Sequence, residues 1–143
     1  MNSIELDVAY DEYHCKLEFH RRISVIRGDS AIGKTTLIEM LSRPLTKVVS
    51  TYIVDIPTIN GWYNTMANST DVILFFDDRS LVESARFADA VSKYCSQNNL
   101  WLVIIDRAIS FGGGRLSYAV DSIYEMFNNG DSEYWIEPIF PAG

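Results

Sequence analysis

The chain is poor in cysteine, with two among 143 residues, Cys15 and Cys95. They stand far apart and match no metal-binding or redox spacing. This excludes a disulfide scaffold and a cysteine-ligated metal, and predicts two reduced thiols. Long apolar runs are also missing. The longest, Val72–Phe76 and Leu100–Ile105, fall far short of the ~20 residues that span a bilayer. The N-terminal "MNSIELDVAYDEY" has no basic start followed by an apolar run, which argues against a secretory signal. Together these absences predict a cytoplasmic protein without a membrane segment. No repeat, low-complexity tract or linker divides the sequence, so one domain is expected over 1–143, enough chain to bury about 70% of its unfolded surface.

Positive charge is scarce as well: 12 Lys and Arg against 19 Asp and Glu, a net of −7. The distribution is uneven. Residues 14–47 are net basic, with seven Lys and Arg against three acids, whereas both flanks are acidic. A basic third within an acidic chain suits a small polyanionic ligand and does not indicate a broad nucleic-acid face.

The apolar pattern predicts alternating strands and helices. "IELDVAY" (4–10) and "YHCKLEF" (13–19) alternate or nearly alternate, with "DE" between them, and predict an antiparallel hairpin. "RISVI" (22–26) is a short strand, and "TLIEMLSR" is helical, with Pro44 beyond its end. "VVSTYIVDI" (48–56) reads as one β-branched strand, and 57–70 as a loop with a short helical piece. "VILFF" (72–76) and "LWLVII" (100–105) are apolar on both faces, as covered parallel strands are. Between them, Ser80 and Glu83 form a capping-box pattern ahead of helically spaced Leu81, Ala85, Ala88, Val91 and Cys95. "SFGGGRLS" (110–117) is a loop, and "SIYEMF" with "SEYWIEPIF" around "NNGD" predicts a C-terminal strand pair. This order implies an α/β three-layer sandwich with a mostly parallel sheet.

One stretch carries chemistry. "GDSAIGKTT" fits G-x-x-x-x-G-K-[ST], the phosphate-loop pattern, and lies between a predicted strand and a predicted helix, the context that pattern requires. Gly28 leaves the strand and Gly33 lets the backbone wrap closely on phosphate. Amide groups from Asp29 through Ser30, Ala31 and Ile32 to Thr35 would form an anion nest ending at a helix N-terminus. Lys34 would reach the β- and γ-phosphates of ATP. The Thr35 hydroxyl would ligate Mg²⁺, and Thr36 would lie near the α-phosphate. A second acid should end an apolar strand and hold the metal's water shell, and "VILFFDD" supplies Asp77. Asp78 follows, where a glutamate often polarises the attacking water, and aspartate is one methylene shorter. The strand ending at Ile105 leads to Asp106 and Arg107, either a γ-phosphate sensor or a surface pair.

At this point the residues resemble a family. "LEFHRRISVIRGDSAIGKTTLIEML" resembles the opening of ATP-binding-cassette, RecF/SMC-type and AAA-type ATPases of the P-loop NTPase superfamily, and "VILFFDD" is similar to their Walker B segment. The resemblance covers roughly residues 13–107. It implies a sheet in which the Asp106 strand lies between the loop strand and the Walker B strand. Departures are clear. The one glycine-rich string like a cassette signature, "SFGGGRLS", follows Walker B instead of preceding it. An AAA-type lid, the guanine-reading [NT]-K-x-D string and a kinase-type arginine-rich lid are absent.

Two functions stay open. One is a slow or partner-dependent Mg-ATPase, with Arg107 or Arg115 offered to a neighbouring subunit. The other is a module that binds nucleotide without turnover, or keeps the fold as a scaffold, and regulates or inhibits a macromolecular partner. Small size, acidic charge, Asp78, and the aromatics Trp62, Tyr63, Tyr134 and Trp135 favour the second. Either implies a protein partner or self-association. A small-molecule kinase has the loop but lacks the lid.

Overall fold

A computed structural model describes residues 3–10, 12–27, 34–43, 47–50, 52–58, 60–76, 84–106, 122–130 and 132–140, and of Lys34, Thr35, Thr36, Asp106 and Phe140 the backbone alone. Strands β1 (Ile4–Tyr10) and β2 (Tyr13–Phe19) pair antiparallel over their full length. Their alternation works as period 2 demands: Leu6, Val8, Cys15 and Leu17 are buried while Glu5, Asp7, Lys16 and Glu18 face water. Next come β3 (Ile23–Arg27) and helix α1 (Lys34–Ser42). The stretch expected as one strand over 48–56 is two, β4 (Lys47–Val49) and β5 (Ile53–Asp55). The break has a local cause. The Ser50 hydroxyl accepts from the Tyr52 amide at 3.1 Å, turning the chain, and Tyr52 packs edge-on against Trp101.

Helix α2 (Trp62–Asn68) precedes β6 (Val72–Phe76), and α3 (Ala85–Tyr94) precedes β7 (Trp101–Asp106). The Ser84 hydroxyl accepts from the Phe87 amide and caps α3; the capping box expected at Ser80 lies outside the described residues. β8 (Ser122–Asn128) and β9 (Glu133–Phe140) form an antiparallel hairpin, turned at Gly130, whose φ of 88° is left-handed.

All nine strands belong to one sheet, ordered β4-β1-β2-β9-β8-β3-β7-β6-β5. This corrects the expected three-layer sandwich. Strands hold about twice as many residues as helices among those described, and parallel ladders through β5, β6, β7, β3 and β8 meet antiparallel ones through β4, β1, β2 and the β8–β9 pair. The sheet is not a flat layer between helices either. Its edge strands β4 and β5 are joined by residues 50–52, which hold Val49 and Ile53 within about 14 Å of each other. The sheet therefore curls into a nearly closed, barrel-like form.

The reason lies in the polar faces of β1, β2 and β9. A strand with one wet face cannot sit between two helical layers, so its apolar face must turn inward. That inner face buries Leu6, Leu17, Phe19, Ile73, Phe75 and Val103, and α1 adds Leu37 and Met40 to the same cluster. Helices α2 and α3 cover the other face of β3, β6 and β7, where Met66, Phe87 and Val91 pack on Leu74, Phe76 and Leu102. Trp62 is buried there, against Phe87.

Candidate functional site

Strands β3, β7 and β6 run parallel, so their C-terminal ends lie side by side. Arg27 pairs in register with Asp106, and Phe76 with Ile104. In such sheets ligands bind beyond the carboxyl ends of the strands. β3 ends at Arg27 and α1 begins at Lys34, so the glycine-rich stretch leads from a strand end to a helix N-terminus. β6 ends at Phe76, one residue before Asp77, and β7 lies between β3 and β6, the order the resemblance implied. With strands ~4.8 Å apart, the ends of β3 and β6 are about 10 Å apart.

Helix α1 is fixed at both levels that matter for such a site. Leu37 and Met40 anchor it inside the curl. At its far end the Arg43 guanidinium lies 5.1 Å from the Tyr10 ring centre, and its Nη1 donates to the Tyr10 hydroxyl at 3.4 Å, tying the helix exit to β1.

Of the residues singled out in sequence, Lys34, Thr35 and Thr36 form the first turn of α1. Gly28, Asp29, Ser30, Ala31, Ile32, Gly33, Asp77, Asp78, Arg107 and Arg115 lie outside the described residues. Asp106 ends β7 beside Arg27. Among the described residues no group of three or more His, Cys, Asp or Glu could hold a metal ion. Both cysteines are free and buried.

The opposite ends of the strands carry a polar lock. Asp71 and Asn99 enter β6 and β7 with φ of 57° and 53°, the left-handed region that Asn and Asp tolerate best. Asn99 Nδ2 donates to Asp71 Oδ1 at 2.8 Å, and Arg22 Nη1 donates to Asn99 Oδ1 and to the Leu100 carbonyl. The Arg22 guanidinium also covers Trp101, 5.1 Å from its ring centre. A buried polar contact joins register partners on β3 and β8: the Ser24 and Ser122 hydroxyls meet at 2.8 Å. Neither group was singled out in sequence. "NNL" before a strand was the available signal for the first, while the serine pair needed the β3–β8 register.

No protein-family profile matches the chain, and no curated protein matches it. Among solved structures, it is similar to parts of larger proteins. One is a complex of archaeal ribosomal stalk protein aP1 with archaeal ribosome recycling factor aABCE1, at 14% identity and TM-score 0.45, covering 95% of this chain and 38% of that one. Another is ribosome-bound archaeal Pelota and ABCE1, at 12% identity and TM-score 0.48, covering 96% and 34%. A third is an RNase-L inhibitor, at 13% identity and TM-score 0.45, covering 97% and 39%. The chain thus spans well under half the length of each. No described helix is long and apolar enough to cross a membrane.

Proposed function

We propose that this chain binds ATP with Mg²⁺ through the glycine-rich stretch between β3 and α1. The observation that carries the reading is the path of the backbone. β3 stops one residue before Gly28, α1 starts one residue after Gly33, and the strand that leads to Asp77 lies parallel, two positions away. A strand, a glycine-rich connection and a helix N-terminus form an anion-binding arrangement.

In this reading Gly28, Asp29, Ser30, Ala31, Ile32 and Gly33 carry backbone donors to the phosphates, and Thr36 lies beside them. Lys34 neutralises the β- and γ-phosphates. Thr35 and Asp77 hold Mg²⁺, directly and through its water shell. When bound, the ion draws charge from the phosphate oxygens. Asp78 is the candidate for orienting a water, and turnover is slow or dependent on a partner. A nucleotide-binding module without turnover, regulating a macromolecular partner, is the other outcome.

Calorimetry with ATP–Mg²⁺ tests binding. Saturable binding that Lys34→Ala weakens by at least about tenfold is expected, the loss of one charged phosphate contact. Binding unchanged in Lys34→Ala would overturn the assignment. Phosphate release by the same protein, with Asp78→Asn as control, separates hydrolysis from binding alone.

A further inference from the structure

The outer face of β1, β2, β9 and β8 has no described helix over it, and its charges are arranged against its own stability. The registers place Glu5 opposite Glu18 and Glu125 opposite Glu137. All four side chains point away from the inner cluster, as two opposed pairs, one on β1 and β2 and one on β8 and β9, the second continuing to Arg27 of β3. Like charges directly opposite each other on a sheet face are unfavourable. One row over stand Asp7, Lys16, Trp135 and Phe127, also linked by register. Lys16 faces Asp7, whose Oδ1 also meets His14 Nε2 at 3.2 Å, so the Glu5–Glu18 pair has no cation in register.

A groove of about 220 Å³ opens where these rows meet, between Glu5, Asp7, Lys16 and Glu18 on one side and Trp135 and Ile136 on the other. It exists because the β2–β9 ladder stops at the Lys16–Trp135 pair. Beyond that pair, β9 continues with β8 while β2 continues with β1. Trp135 is a prepared wall. Its ring stacks on Phe127 at 6.1 Å and 21°, and its Nε1 donates to Glu137 Oε2 at 2.9 Å. The space is smaller than the ~300 Å³ at which small-molecule pockets begin, and suits one long side chain.

We propose that this groove docks an arginine side chain from a basic segment of a protein partner. The guanidinium is planar, stacks on an indole and donates in a fork to carboxylates. Trp135 supplies the indole, and Glu5 and Glu18 supply carboxylates that the isolated fold leaves crowded. The sign of the face disfavours nucleic acid and anionic membrane surfaces. The assignment is independent of nucleotide binding.

The test uses the full chain and N-acetyl-Gly-Arg-Gly-amide, with the citrulline peptide as the uncharged isostere, followed by NMR at the three indole N–H groups. Expected is a saturable shift of the Trp135 indole with the arginine peptide, stationary Trp62 and Trp101 signals, and no response to citrulline. Binding should weaken about threefold in Glu18→Gln and again in Glu5→Gln, and fall with added salt. It should persist in Lys34→Ala, so failure here is distinct from failure of the nucleotide reading. An equal response to citrulline, a response unaltered in Glu5→Gln/Glu18→Gln, or a stronger response to a short RNA would each overturn the proposal. Trp135→Phe, which keeps a ring but removes the Glu137 contact and the indole reporter, should retain weakened binding, read at the backbone amides of Lys16 and Glu18, even if Trp135→Ala does not fold.

Discussion

Cys15 is 1% exposed at the centre of the inner cluster. Burial pushes its thiol up from 9.0 to about 12, with the Asp7 and Glu133 carboxylates adding to the shift. The stability contributed by this buried, protonated thiol is fully present below pH 9 and is lost as pH rises toward 12. The unfolded chain loses this proton first, so stability declines as pH rises from 9 toward 12, with a slope of up to about 1.4 kcal/mol per pH unit. Denaturant melts across that range should show the slope, and Cys15→Ala should flatten it while lowering stability at neutral pH. Trp101 gives a contrasting residue-scale expectation. Its Nε1 is buried without a hydrogen-bond partner among the described residues. Trp101→Phe removes that unmet donor, and its cost should stay within about 1.5 kcal/mol by chemical denaturation despite the smaller ring.

At the scale of elements, the β1–β2 hairpin carries the strain of the Glu5–Glu18 pair. Glu5→Gln should raise stability by a few tenths of a kcal/mol while it weakens the arginine peptide, two readouts that move in opposite directions. This hairpin was plain in the sequence because its alternation is regular. Residues 48–56 were not. A continuous β-branched run carries no mark of where a chain leaves one sheet edge for the other, and the Ser50–Tyr52 turn that decides it is a weak local signal. Helix α3 shows the same limit at its start. Two serines, Ser80 and Ser84, could each cap it, and the described helix is capped by Ser84.

For the whole molecule, the inner cluster joins α1 to strands from both halves of the curled sheet. Leu37 is 2% exposed within it. Leu37→Ala should cost about 2–5 kcal/mol and lower one common unfolding transition, seen alike by far-ultraviolet circular dichroism and tryptophan fluorescence. Two separated transitions would show instead that the halves unfold independently. The candidate nucleotide end depends on this same packing, since α1 is held by Leu37 and Met40 from inside the curl.

The sequence by itself determined what short-range chemistry writes. The glycine-rich stretch sits between a strand and a helix, "VILFF" and "LWLVII" are strands buried on both faces, and the terminal strands pair as hairpins. Each follows from period, turn residues or motif spacing within a few neighbours. Tertiary structure alone decided the rest. Curling of the sheet, the packing of α1 on its inner face and the opposed glutamate pairs on β1–β2 and β8–β9 depend on register between strands, some of them 119 residues apart. A charge pattern along one strand shows which face is wet. Only the pairing of strands shows that like charges stand opposite each other, and that a groove opens where two strands part.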